Sequence, residues 1–284
     1  MSGRNGLAMF STAALLAACA LAAPARSEQP SASMRVEGPE ASAPTLAEEL
    51  AGRRPVRNPL QALASSYVAI PASANVQGSF GAFFKTRVSV LNITQSSIFV
   101  TATLLTQSGV GGTKGFSVGA GQTATFGNAL QDLFGYSGGG AVVLESSSTS
   151  QEFIVTSEVY VDGGSGRFST AVETQNSLDF VGSYPDLTVG VLVDGSNRSN
   201  VGCMNDSNQS ATARGRVYDA SGAQVGTLNF TLPSGTWVQG GINFNVNRGA
   251  ILWDASVSYI YCYAVNVNNA SNDGTFLGRT TYVP

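Results

Sequence analysis

Two stretches of this chain repeat each other at a fixed distance. Thr86 to Asn92 (TRVSVLN) matches Ser199 to Asn205 (SNVGCMN) at an offset of 113 residues, and Ser108-Gly109 matches Ser221-Gly222 at the same offset. The register then drifts slightly: Gly121 meets Gly235, and Gly140-Ala141-Val142-Val143-Leu144 meets Gly249-Ala250-Ile251-Leu252-Trp253. A unit of this length, made of short apolar runs punctuated by Gly, Ser, Asn and Asp, describes two copies of one β-domain. The expected fold is therefore all-β, with two tandem antiparallel β-sandwich (Ig-like) domains at residues 61–175 and 184–284.

The strands are legible from alternation. In Glu152 to Tyr160, Phe153, Val155 and Val159 fall on one face while Glu152, Thr156 and Glu158 fall on the other. Asp162 to Gly166, Asp219 to Gly222 and Asn272 to Gly274 read as hairpin turns. One helix is expected at Asn128 to Phe134, with Asn128 as its cap, Leu130, Leu133 and Phe134 as its apolar stripe, and Gly135 as its stop.

The sandwiches are preceded by two segments of different character. Residues 1–26 have the layout of an export signal: Arg4, an apolar run from Leu7 to Ala18, and a small-x-small cleavage site at Ala23-Pro24-Ala25. Within it, Leu16-Ala17-Ala18-Cys19 is similar to a bacterial lipobox, in which acylation of Cys19 would tether the chain to a membrane. The residues after Cys19 stay apolar, which favours ordinary cleavage near Ala25. Residues 27–60 are rich in Pro, Ala, Ser and Glu, a composition that predicts a disordered, flexible linker. Thr45-Leu46-Ala47-Glu48 fits a capping box and predicts one short helix in it.

Charge and residue usage exclude whole classes of function. A net charge of -3 without a basic stripe argues against a nucleic-acid partner. Lys85/Arg87 and Arg214/Arg216, each spaced by two, read as solvated charges on strand faces. The chain has no His, which removes imidazole acid-base chemistry, His-dependent triads and the commonest metal ligand. Glu152 and Glu158, about 20 Å apart along a strand, are too distant for a glycosidase pair. The run Gly109 to Gly115 lacks the Gly-Lys-Ser/Thr of a phosphate loop and reads as a hairpin loop. Asn266 to Asp273 reads as a turn with Asx hydrogen bonds rather than a calcium loop. No catalytic residue, metal site or cofactor is expected.

Two features carry what remains. Cys203 and Cys262 are the two cysteines beyond the signal, and they form one disulfide or serve as two buried thiols, the exported compartment favouring the bond. Tyr259, Tyr261 and Tyr263 alternate with Ile260, Cys262 and Ala264, so their rings share a strand face. Such a row either stacks on sugars or packs against the first domain. Six Asn-x-Ser/Thr triplets, among them Asn92-Ile93-Thr94 and Asn229-Phe230-Thr231, follow from the abundance of these residues.

Ile70-Pro71-Ala72, Gly78 to Asn92 (GSFGAFFKTRVSVLN), Asp132-Leu133-Phe134-Gly135, Arg198 to Gly202 (RSNVG) and Tyr282-Val283-Pro284 together resemble a group of exported bacterial tandem β-sandwich proteins of uncharacterised function. The resemblance implies location and fold, with no activity to carry over. The expected function is a structural, adhesive or assembly role in the bacterial envelope or exterior, with envelope proteins as partners. The alternative is a carbohydrate-binding module that presents the tyrosine face to extracellular glycans. Membrane attachment is expected only through Cys19.

Overall fold

The computed structural model describes residues 30–56, 66–78, 81–147, 152–163, 166–176 and 185–283. The chain enters through β1 (Ser33–Glu37), α1 (Leu46–Glu49) and β2 (Arg54–Val56). The first copy of the repeat follows as β3 (Tyr67–Gln77), β4 (Phe83–Asn92), β5 (Ile98–Thr106), β6 (Gly109–Val118) and β7 (Thr123–Phe126). It continues with α2 (Ala129–Phe134), β8 (Gly138–Ser146), β9 (Phe153–Gly163), β10 (Gly166–Val172) and the short β11 (Gln175–Asn176). The second copy holds β12 (Asp186–Val193), β13 (Asn197–Asn205), β14 (Ala211–Tyr218), β15 (Gln224–Leu232) and β16 (Thr236–Gly241). It closes with β17 (Val246–Ala255), β18 (Ile260–Asn268), β19 (Gly274–Leu277) and β20 (Arg279–Val283). The described residues are all-β apart from two short helices.

Strand pairing repeats from copy to copy. In the first, β6-β5-β8-β3 and β7-β4-β9-β10 run as neighbours; in the second, β15-β14-β17-β12 and β16-β13-β18-β19 do. The two sheets of the first copy are joined where the far end of β3 pairs with β4. A single parallel bridge, Thr236 to Thr106, links β16 to β5 and carries the sheet into the second copy.

The repeat is visible down to one side chain. The buried Asn92 amide donates to the carbonyls of Ser96, Val118 and Gly119, and its Oδ1 accepts from the Thr94 backbone and hydroxyl. Asn205 donates to Gln209, Leu232 and Pro233 and accepts from the backbone and hydroxyl of Ser207. Each amide brackets the end of one strand to the end of another and to the loops beside it, satisfying buried carbonyls. The Asn-x-Ser/Thr triplet at these positions is thus an architectural element.

Two cores result. The first joins Val68, Ile70, Val100, Leu104 and Val142 to Val88, Val90, Phe153 and Leu130 of α2. The second joins Val217, Leu228, Phe230, Ile251 and Trp253 to Val201, Cys203, Ile260, Cys262 and Ala264. Strand β18 is buried on both faces, because Tyr261 and Tyr263 belong to the first core. A sheet covered on both sides reads as a continuous apolar run, and Ile260 to Val265 is one.

The expectation of a flexible linker fails for residues 30–56, whereas residues 27–29 and 57–60 lie outside the described residues. β1 pairs antiparallel with β15, and β2 pairs with β20, so the arm closes both edges of one sheet. Average composition hid a local alternation: Met34 and Val36 pack on the second core while Arg35 and Glu37 point outward. Glycine makes room for them, since a Cβ on Gly240 would lie 2.9 Å from the Met34 sulfur. The helix forms as expected, with Thr45 and Glu48 completing the capping box. Its Leu46 and Leu50 cover Leu187, Tyr218, Ala250 and Leu252 on the outer sheet face.

The basic pair on β14 is correspondingly less solvated than its spacing suggests. Arg214 pairs with Glu40, and Arg216 pairs with Glu49 at 3.3 Å and Asp254 at 2.7 Å. On β4, Arg87 meets its cross-strand neighbour Glu158 at 2.5 Å. Two smaller expectations also change. Gly109 to Gly115 lies within strand β6 instead of a loop, its glycines accommodating Phe99, Leu104 and Thr106. Asn128 precedes α2 without a side-chain cap; its backbone N–H donates to Asp132 Oδ2 and its amide to Asn75 Oδ1. The Asn-rich turn is as expected, Asn268 Oδ1 accepting from the Ala270 and Ser271 amides.

Candidate binding cleft between the two halves

The tyrosine row divides. Tyr259 is 44% exposed in a left-handed backbone position, whereas Tyr261 and Tyr263 are fully buried. Of the two alternatives for the row, packing against the first copy is the one taken by those two, because their strand lies between two cores. Tyr263 stacks on Phe276 with ring centroids 5.5 Å apart. Its hydroxyl donates to Gln239 Oε1 at 2.8 Å and accepts from Trp237 Nε1 at 3.1 Å. Burial pushes the Tyr263 phenol well above its ordinary range. The Arg279 guanidinium sits 4.3 Å from the Tyr261 ring centre and forms a buried ion pair with Asp186.

What organises the seam is a proline inside a strand. Pro71 has no N–H to give to a ladder, and the β3–β8 register shifts between Ile70 and Ser73. The Pro71 carbonyl, turned out of the ladder, accepts the Trp237 indole N–H at 2.9 Å, joining the two halves. Gly139 on β8 lets the indole approach, since a Cβ there would lie 2.7 Å from the ring.

Beside Trp237 the halves frame a partly open cleft of about 120 Å³ between β3, β4, β8, β9 and β10 on one side and β13, β16, β18 and β19 on the other. Its walls are largely apolar, with Phe84, Tyr160, Trp237 and Phe276 as the aromatic members. Ser73, Ser169, Thr170, Asn200, Gln239 and Asn272 add polar residues, and among the described residues the lining holds no charged side chain, although the Arg198 guanidinium donates to Asn272 Oδ1 at 3.0 Å. Ser73 is 4% exposed, and its hydroxyl has no hydrogen-bond partner. The outer rim is closed by β10 and β19, where the Phe276 N–H donates to Thr170 Oγ1 at 2.9 Å. The sequence reading did not single out Trp237 or Ser73; a proline in an otherwise apolar strand run was the available signal.

At another point of the seam, Tyr67 donates to Asp206 Oδ2 at 2.5 Å. Burial raises the Asp206 pKa, the bond from Tyr67 lowers it in part, and the nearby Glu145 raises it again. Burial first and the Asp206 charge second push the Tyr67 phenol far upward. This arrangement joins the two halves.

Of the other site residues, Cys203 and Cys262 are opposite neighbours on β13 and β18 and form the disulfide. Cys19 lies outside the described residues. Among the described residues no group of three or more His, Cys, Asp or Glu side chains is placed to hold a metal.

No known protein family matches the chain, and no curated protein does. Among solved structures, a lectin from Pleurotus ostreatus in complex with GalNAc is 12% identical with a TM-score of 0.12, covering 82% of this chain and 85% of its own. A Bacteroides uniformis beta-glucuronidase is 9% identical with a TM-score of 0.15, covering 89% of this chain and 32% of its own. Likeness at that level carries no argument about fold or function.

Proposed function

We propose that this chain is a non-catalytic exported protein of the bacterial envelope or exterior, built from two tandem Ig-like sandwiches and serving a structural, adhesive or assembly role. The observation that carries the reading is the seam. The aromatic face that a sugar-binding module would present is consumed in joining the halves, through Trp237, Tyr261 and Tyr263. The arm closes both edges of the second copy's outer sheet. Such a body suits holding partners at a fixed separation. The Cys203–Cys262 bond accords with an oxidising compartment, and the residues that resemble exported tandem β-sandwich proteins lie along both copies.

The test begins with expression of the full chain in a bacterium, followed by fractionation and mass spectrometry of the product. Cleavage after Ala25 with recovery outside the cytoplasm supports export, an acylated Cys19 relocates the protein to a membrane surface, and an uncleaved cytoplasmic product overturns it. The exported product is then co-sedimented with envelope preparations and with insoluble polysaccharides. Saturable pelleting with envelope protein is the expected result, and turnover of a glycan substrate would sink the non-catalytic reading.

A further inference from the structure

We infer that the edge of the seam formed by Arg198 receives a small organic monoanion, its carboxylate on the guanidinium and its apolar ring or short chain in the cleft. The inference is independent of the role proposed above. It rests on the sheet register and on how this one cation is held.

The register places Arg198. Pairing of β13 with β18 sets Asn200 opposite Val265 and Arg198 opposite Val267. Asn200, Val265 and Val267 line the cleft. Residues two apart on a strand share a face, so Arg198 leaves β13 on the same side, about 7 Å beyond Asn200. Its guanidinium donates to Asn269 Oδ1 and Asn272 Oδ1, each at 3.0 Å, and Asn272 is itself a lining residue. The turn between β18 and β19 thus fixes the cation at one end of the cleft.

The partners of Arg198 set it apart from the other half-buried arginines. Arg87 faces Glu158, Arg214 faces Glu40, Arg216 faces Glu49 and Asp254, and Arg279 faces Asp186. Arg198 faces two neutral amides and, among the described residues, forms no ion pair. Desolvation accordingly pulls its pKa down. The amide oxygens orient the guanidinium without neutralising it. They leave the remaining N–H donors of its fork for an anion, and that fork matches a carboxylate.

The cleft describes the rest of the ligand. Phe84, Trp237, Phe276 and valines of β9, β10 and β18 form apolar walls around about 120 Å³. An apolar cavity of about 150 Å³ accepts benzene, so one ring or a chain of similar bulk fits. Apolar clefts at a domain seam with few polar groups to fix orientation are the usual form of small-molecule sites. A sugar would bring more hydroxyls than these walls satisfy, and a doubly charged phosphate would meet a single cation.

Phenylacetate, benzyl alcohol and benzylamine share one ring and differ in charge. Calorimetric titration of the mature protein, with tryptophan emission as a second readout, is expected to show saturable millimolar binding of phenylacetate. Benzyl alcohol should bind at least about tenfold more weakly, the worth of one charge-assisted hydrogen bond, and benzylamine not at all. Arg198→Gln keeps a donor for the turn and removes the charge. It should weaken phenylacetate by about tenfold and leave benzyl alcohol and the melting temperature unchanged. Ala74 pairs with Gly139, whose missing Cβ admits the Trp237 ring, so Ala74 faces the cleft. Ala74→Leu should fill the cleft and abolish binding while Arg198 stays in place. Absence of both heat and emission change with phenylacetate overturns the proposal, as does equal binding of benzyl alcohol or benzylamine. Phenylacetate affinity unchanged in Arg198→Gln or in Ala74→Leu overturns it as well. The three probes need no variant, so a substitution that impairs folding leaves the proposal open to refutation.

Discussion

The same ladder is built twice in this chain, and the two versions are held by different means. Cys203 and Cys262 face each other on β13 and β18, whereas the corresponding cross-strand pair on β4 and β9 is Val90 and Val155. The outer edge of β15 is covered by β1, whereas among the described residues its counterpart β6 pairs with β5 alone. Strand β6 answers that exposure with sequence: Gly109, Gly111, Gly112 and Gly115 weaken its appeal as a template, and Lys114 adds a charge. Topology therefore fixes the ladder, and individual residues decide how each edge and core is secured.

The strongest way to break this comparison is to delete residues 30–56. Met34, Val36, Leu46 and Leu50 would leave apolar contacts, at a cost of more than about 5 kcal/mol. Urea unfolding should then split into two transitions, the second copy melting first, and concentration-dependent association should appear through the uncovered β15 edge. A single unchanged transition would show that the arm contributes nothing.

Next is an exchange of the covalent pair. Cys203→Val with Cys262→Val should lower stability by about 4 kcal/mol, from a closed loop of 59 residues. Introducing Val90→Cys with Val155→Cys should form a bond in the first copy, detectable by mass spectrometry, because the two are register partners. Failure of that bond to form would mean the two ladders are less alike than their pairing indicates.

The bracketing amides should respond alike. Asn92→Ala and Asn205→Ala each strand carbonyls that are otherwise satisfied, and each should cost about 3 kcal/mol in denaturant titration. Unequal costs would locate the stability in one copy. The smallest effect concerns Asp206. Because burial raises its pKa, the folded state keeps a proton that the unfolded state has released. Stability from this group is present at low pH and declines as pH rises from the ordinary carboxylate range through the raised one. Asp206→Asn should flatten that decline and leave the protein slightly more stable at neutral pH; a melting temperature that falls at neutral pH would contradict it.

Much of the architecture was written locally. Alternation, hairpin turns and the 113-residue offset gave the strands and their duplication, and the cysteine pair lay in strands that proved adjacent. Other features were not local. Ser33 to Glu37 is short and polar on average, and it becomes a strand because β15 supplies a partner and Gly240 supplies space. Tyr261 and Tyr263 alternate as a surface row would, and only the stacking of one copy on the other makes them interior. Asn92 and Asn205 stood in the repeat from the start, yet their triplets looked like a consequence of composition. The cleft was hidden for a related reason: its walls come from nine strands spread over both copies, and Pro71 was its sole local trace.

The docking of the arm also has a consequence for the order of events as the chain is made. Residues 33–37 emerge early but must wait for β15, and residues 54–56 must wait for β20, some 190 to 230 residues later. Contacts of such long sequence separation form late, so the first copy can consolidate while the arm is still seeking its partners. A nascent chain stopped before Arg279 offers β2 nothing to pair with, and the docking of β2 thus reports that synthesis has passed β20.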